Sequence, residues 1–192
     1  MRINLVAIPR PAGPAPVGKD TTYFDVLLDG QPSFDIDTST LRRNFLKIQQ
    51  LVHPDNFTQA PKDINRKHAR VQSAWVNHAY TTLKDQLLRA HYLLELYNEG
   101  IGEDDQITDP EFLMEIMELR DEIEMAETDQ QTAEIKVQND AKIAEIVKRL
   151  SAAFGSKDYA LAKQLTHHLQ YLHRATQAIH DWEPGKPVTI PH

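Results

Sequence analysis

The sequence predicts an all-α protein in two parts, an N-terminal helical hairpin and a C-terminal three-helix bundle. Three observations carry this. No segment shows the alternation of apolar and polar residues that a half-buried strand requires. Apolar residues recur instead at three- and four-residue steps: Leu41, Phe45, Ile48, Val52; then Val71, Trp75, Ala79, Leu83; then Leu161, Leu165, Leu169, Leu172, Ile179. Turn-forming clusters separate these stretches: Asp29-Gly30 with Pro32, Gly100 with Gly102, and Pro184-Gly185.

The elements follow in order. Tyr23-Phe24-Asp25-Val26-Leu27-Leu28 is a short apolar start closed by Asp29-Gly30. The next helix is expected to begin at Thr38 or Ser39, either of which can cap its free amides. Its apolar stripe leaves Arg42, Arg43 and Lys47 facing solvent. Pro54 disfavours the helical conformation at His53, so the helix should end there. His53-Pro54-Asp55 then opens a loop running to about Lys62. A long helix is expected over 64–83 and a shorter one over 86–97. The loop thus stands at the tip of an antiparallel hairpin.

The second part should start at Thr108-Asp109-Pro110-Glu111. Thr108 can cap, Pro110 needs no amide partner in the first turn, and Glu111 completes a capping box. Helices are expected over about 108–127, 130–154 (stopping at Gly155) and 158–182, joined by short turns as in a bundle. The domain boundaries are placed at 21–98 and 108–187. Residues 1–20 contain Pro9, Pro11, Pro14 and Pro16, which forbid a continuous amphipathic helix. They read as a disordered leader or the remnant of a presequence.

Composition excludes several functions. The 192 residues include no cysteine, so disulfides, zinc–thiolate sites and thiol catalysis are ruled out. No apolar run approaches the roughly 18 residues that span a bilayer, so no membrane partner is expected. The net charge of −7 is concentrated: residues 99–134 hold fourteen acids and one base, Arg120. That block would repel phosphates, which argues against nucleic acid, and would suit a basic protein surface. No Walker-type loop is present. His167, His168 and His173 do not share one helix face, because a five-residue step rotates by about 140°. No metal site and no cofactor are expected.

Several fragments, in this order, resemble one family. Leu51-Val52-His53-Pro54-Asp55 after a basic helix is similar to a J-domain. Asn77-His78-Ala79-Tyr80-Thr81-Thr82-Leu83-Lys84-Asp85 and Leu88-Arg89-Ala90-His91-Tyr92-Leu93-Leu94 resemble the HscB-type J-proteins, co-chaperones of iron–sulfur cluster biogenesis. So do Asp109-Pro110-Glu111-Phe112-Leu113-Met114-Glu115 and Leu119-Arg120-Asp121-Glu122. The ending Asp181-Trp182-Glu183-Pro184-Gly185-Lys186 is similar to the fungal mitochondrial, Jac-type branch. Gln86 departs from the proline common at that place, and the cysteine-rich module of some animal members is absent.

The resemblance implies a J-domain followed by a scaffold-binding bundle, in the mitochondrial matrix or, alternatively, the bacterial cytoplasm. It implies that His53, Pro54 and Asp55 trigger ATP hydrolysis by a DnaK-type mitochondrial heat-shock chaperone, with Arg42, Arg43 and Lys47 docking on it. The chain itself would have no catalytic residues. The resemblance also implies an iron–sulfur cluster scaffold protein as client. It would be held by Phe112, Leu113, Glu115, Met117, Glu118, Asp121 and Glu122 on one helix and Tyr171 on the last. Leu113, Met117 and Tyr171 would form an exposed apolar patch with the acids as its rim. Glu115 departs from a basic residue found in some fungal members. Three other readings remain: a J-protein for a different client, a hydrolase using His53 and Asp55, and a purely structural helical protein.

Overall fold

The computed structural model describes residues 21–28, 30–52, 64–102 and 109–184, with backbone only for Val52 and 64–70. The leader at 1–20 and His53-Pro54-Asp55 lie outside the described residues. So do Asp29, Thr108 and Gly185, each of which was assigned an end or a cap. The described residues form helices and turns, with no strand among them. The chain divides into two compact units, Met1–Leu96 and Tyr97–His192.

The first unit contains α1 (Tyr23–Leu27), α2 (Thr38–Val52), α3 (Ile64–Lys84) and α4 (Gln86–Leu96). α1 is short but closed by a capping box. Thr22 accepts from the Asp25 amide, and the Asp25 carboxylate accepts from the Thr22 amide. Its aromatic residues anchor it. Tyr23 stacks on Tyr92 of α4 at 4.3 Å and meets Trp75 of α3 edge-on at 5.2 Å. Burial raises the Tyr92 phenol pKa, so the hydroxyl stays protonated and accepts from the Tyr23 amide at 3.0 Å.

The start of α2 differs from expectation. Asp37, not Thr38 or Ser39, is the capping group, and its carboxylate accepts from the Ser39 amide and the Thr40 hydroxyl. An ionised carboxylate is a stronger acceptor than either hydroxyl. These bonds hold the Asp37 pKa below the ordinary carboxylate value. α2 and α3 form the hairpin. Leu41 and Ile48 are buried from α2, and Val76, Ala79 and Leu83 from α3. Phe45 stacks on Tyr80 at 4.1 Å across the pair, and Gln49 bonds Asn77 and Ser73. These contacts join residues 41–49 of α2 to residues 73–83 of α3.

Arg89 is buried inside this unit. It donates to the Leu83 carbonyl near the end of α3, and its guanidinium lies 5.0 Å over the Phe34 ring. One side chain therefore ties the loop before α2 to the α3–α4 junction. Burial lowers its pKa, with Asp35 and Asp85 opposing that shift, and it remains charged at neutral pH. Arg89→Ala is expected to cost the unit about 3 kcal/mol, from the cavity and the lost ties together. Arg89→Met, which keeps most of the volume without a buried charge, should recover over half of it. Urea unfolding read at Trp75, in a Trp182→Phe background, checks this. An unchanged midpoint for the alanine variant would contradict it.

The second unit holds α5 (Pro110–Met125), α6 (Asp129–Ser156) and α7 (Tyr159–His180). They form an up–down–up three-helix bundle in which α6 runs antiparallel to its neighbours. Asp109 caps α5, accepting from the amides of Glu111 and Phe112. The cap is thus the carboxylate of Asp109, the residue after the expected Thr108. α5 stops at Met125 rather than Glu127 because Ala126 turns extended. The Glu127 and Thr128 amides then donate to Gln131, which completes the α6 capping box. α6 continues through Gly155 to Ser156, further than expected. The left-handed residue that ends it is Lys157 (φ 60°), and the Asp158 amide closes the turn on Ala153. α7 ends at His180, capped by Asp181, two residues short of Trp182.

Phe112, Leu119 and Ile123 from α5, Ile146 and Leu150 from α6, and Leu165, Leu169 and Leu172 from α7 fill the core. Asn139 is fully buried and donates to the Leu172 carbonyl and the Thr176 hydroxyl. This buried polar contact helps to set the register of α6 against α7.

Candidate functional site

Two exposed faces, one per unit, carry the residues singled out in the sequence. On α2, Arg42, Arg43 and Lys47 are all exposed, on the side opposite Leu41 and Ile48. Arg43 is steadied by a bond to Thr40 at 3.0 Å. Leu46, 50% exposed, lies between these cations on the helical wheel. The sequence reading missed it. The available signal was a large apolar residue out of phase with the buried stripe. The face therefore combines three cations with an apolar centre, a composition suited to an acidic protein surface.

On α5 the structure separates the predicted set. Leu113, Glu115, Met117, Glu118, Asp121 and Glu122 are exposed. Phe112 differs from the rest of the set: it is 6% exposed and its ring stacks on His168 of α7 at 3.7 Å. It belongs to the core and orients α5, and it offers no surface to a partner. Its stripe continues through Leu119 and Ile123 at seven- and four-residue steps, which phases the helix one residue away from Leu113 and Met117.

The wheel of α5 also splits the acids. Glu115 reaches Lys142 of α6 at 3.8 Å, so the α6 side of α5 carries Glu115 with Glu122 and Glu118. Leu113 and Met117 sit about 160° from Glu115, on the opposite flank. Asp121 shares their flank. On α7, Asn139 marks the α6 side and His168 the α5 side. Tyr171 is turned from His168 away from α6, onto the flank of Leu113 and Met117. The structure therefore brings Leu113, Met117, Asp121 and Tyr171 to one side of the α5–α7 seam. It leaves Glu115, Glu118 and Glu122 as a separate acidic stripe.

Three exposed or half-exposed residues of the bundle were missed in the sequence. Arg174 covers the Tyr171 ring at 5.2 Å, a cation–π contact that holds the ring at the surface. Met114, 63% exposed, widens the apolar strip on α5, whereas Met125, 77% exposed, lies two turns further on and is turned toward the side of Glu118. An exposed strip of this kind beside charged residues is the usual mark of a protein interface.

His168 of α7 is buried against Phe112. Burial lowers its pKa, opposed by Asp109, whose Oδ2 stands 3.8 Å from the unbonded Nε2; Arg149 and His167 lower it further. The folded protein therefore disfavours the charged ring relative to the unfolded chain. As pH falls below about 6.5, the unfolded value, unfolding takes up a proton and the second unit should lose stability. Chemical denaturation between pH 7 and about pH 5 should show this slope, and His168→Leu should flatten it. A slope unchanged in that variant would contradict the assignment. Among the described residues, no group of three or more His, Asp or Glu side chains is arranged to hold a metal ion.

Comparison with known proteins agrees with this architecture. The model of the HSCB C-terminal oligomerisation domain matches residues 108–180. The chain is 31% identical over 167 residues to the mitochondrial J-type co-chaperone JAC1 of Saccharomyces cerevisiae, covering 84% of this chain and 86% of that protein. It is 37% identical over 161 residues to the human iron-sulfur cluster co-chaperone protein HscB, covering 82% of this chain and 66% of that protein. The crystal structure of human HscB superposes with a TM-score of 0.79 at 33% identity, over 84% of this chain and 81% of that one. The Jac1 structure from S. cerevisiae gives 0.72 at 27%, over 86% and 98%. An N-terminal J-domain hairpin, a C-terminal three-helix bundle and these relatives together establish that the chain belongs to the HscB/Jac1 family of iron–sulfur cluster co-chaperones.

Proposed function

We propose that this co-chaperone binds an iron–sulfur cluster scaffold protein through its bundle and delivers it to a DnaK-type mitochondrial chaperone. It then stimulates that chaperone's ATPase and so promotes cluster transfer. The observation that carries the reading is the separation of two unlike surfaces onto two units. One is a basic face on α2, beside the segment that holds His53-Pro54-Asp55. The other is the apolar seam of Leu113, Met117 and Tyr171 with Asp121 and Arg174 at its edge.

The division suits the chemistry. Arg42, Arg43 and Lys47 attract an acidic chaperone surface and speed encounter. Leu46 adds apolar contact at the centre of that face. Pro54 restricts the loop, and Asp55 accepts a charge-assisted bond from an arginine of the chaperone. The ATP-hydrolysing groups belong to the chaperone, so this chain supplies the trigger and the cargo. Delivery is a tethering effect: holding the scaffold beside the chaperone raises its local concentration and adds to the affinity of the second contact. The proposed site of action is the mitochondrial matrix; the S. cerevisiae relative, named as mitochondrial, supports that reading.

The residues that would hold the scaffold are Leu113, Met117 and Tyr171, with Asp121 on their flank. Glu115, Glu118 and Glu122 would make a second, electrostatic contact on the α6 side. Capture of purified scaffold by this protein, together with stimulation of the chaperone's turnover, tests the reading; failure of capture would remove the cargo half of it.

A further inference from the structure

Three of the four methionines in the chain lie on α5, and they are exposed: Met114 by 63%, Met117 by 65%, Met125 by 77%. At about 100° per residue they fall within an arc of about 80°, so they form one stripe. The chain contains no cysteine, so no thiol of its own competes for an oxidant. Oxidation of a methionine turns a flexible apolar side chain into a polar, chiral one. Met117 is the member of the stripe on the flank of Leu113 and Tyr171.

We propose that the α5 methionine stripe is a peroxide-modified site, and that conversion of Met117 to its sulfoxide releases the scaffold. This rests on the scaffold-binding reading above. The thioether sulfur attacks one oxygen of hydrogen peroxide, the O–O bond breaks and an S–O bond forms. Sulfur loses two electrons, peroxide gains them, and the other oxygen leaves as water after proton transfer. The sulfoxide oxygen is a strong acceptor. In the apolar seam it must be desolvated against Leu113, Tyr171 and an apolar partner, which opposes binding. Methionine sulfoxide reductases reverse the step. Met125 lies eight residues further along the helix and is turned away from Tyr171, so its oxidation should not affect the seam.

The test oxidises the full-length co-chaperone alone with hydrogen peroxide, removes the peroxide by desalting, and then measures scaffold binding. Peptide mass spectrometry should find sulfoxide at Met114, Met117 and Met125, with helicity unchanged because all three are exposed. Affinity should fall by about tenfold and return after treatment with the two reductases. Met117→Leu should show the same scaffold affinity before and after peroxide treatment, each compared with its own untreated protein, whereas Met125→Leu should still lose affinity on oxidation. Full affinity in a protein whose Met117 is shown to be oxidised would overturn the proposal, as would equal sensitivity in Met117→Leu. If the untreated protein captures no scaffold, the functional reading fails and this inference with it. If it captures scaffold and oxidation is silent, only the inference fails.

Discussion

Changing Leu113, Met117 and Tyr171 together to serine is expected to weaken scaffold binding by on the order of a hundredfold or more, because apolar anchors of this kind carry about 1–2 kcal/mol each or more. The bundle should stay folded. Leu113 and Met117 are 39% and 65% exposed, so their truncation opens little cavity. Tyr171 is half-buried beneath Arg174, and its loss should cost about 1 kcal/mol. The comparison that makes the result informative is one step away on the same helix. Leu119 and Ile123 are 4% and 0% exposed. Serine there would remove core side chains and unfold the unit, at about 3 kcal/mol or more each. A binding loss with helicity and unfolding midpoint preserved therefore reports on the surface alone. Isothermal titration with the scaffold reads the affinity, and circular dichroism reads the fold. If the triple variant binds as tightly as wild type, the α5–α7 seam is not the scaffold site. Reversing Glu118 and Glu122 would then be the direct way to weigh the other flank.

The sequence showed the helices more clearly than their ends and their phase. The α2 and α3 stripes were legible because their apolar residues are confined to one side, leaving Arg42, Arg43 and Lys47 no place but solvent. The caps were misassigned because Asp37-Thr38-Ser39 and Thr108-Asp109 each put hydroxyl and carboxylate acceptors next to one another. Which one faces the free amides depends on a single pair of backbone angles. Gly155 read as a helix stop, yet the local energetics allow a glycine within a long helix when flanking packing holds it. A lysine takes the left-handed position two residues later.

The phase of α5 was the deeper ambiguity. Phe112, Leu113, Met114, Ile116, Met117, Leu119, Ile123 and Met125 put apolar residues nearly all round it. Its buried side is chosen by α6 and α7, through Phe112 on His168 and Glu115 near Lys142. That choice moved Phe112 into the core and parted the acids from the apolar seam. Arg89 was visible only as part of a family fragment. That it should be buried, tying Leu83 to Phe34, is a tertiary fact with no periodic signature.

The central claim is that His53-Pro54-Asp55 and the scaffold-binding seam act on one chaperone cycle. Steady-state ATPase of the mitochondrial DnaK-type chaperone, measured with scaffold and with this protein as wild type or Asp55→Ala, tests it most directly. On the proposed function, Asp55→Ala removes the carboxylate that would accept from an arginine of the chaperone, and it changes no residue of the seam. A lost charge-assisted bond at a buried interface costs about 2–5 kcal/mol, enough to erase most of the stimulation. The wild type should therefore accelerate turnover strongly, and more so with scaffold present. The variant should bind scaffold normally but leave the chaperone near its basal rate. Equal stimulation by wild type and Asp55→Ala, or none by either, would contradict the claim.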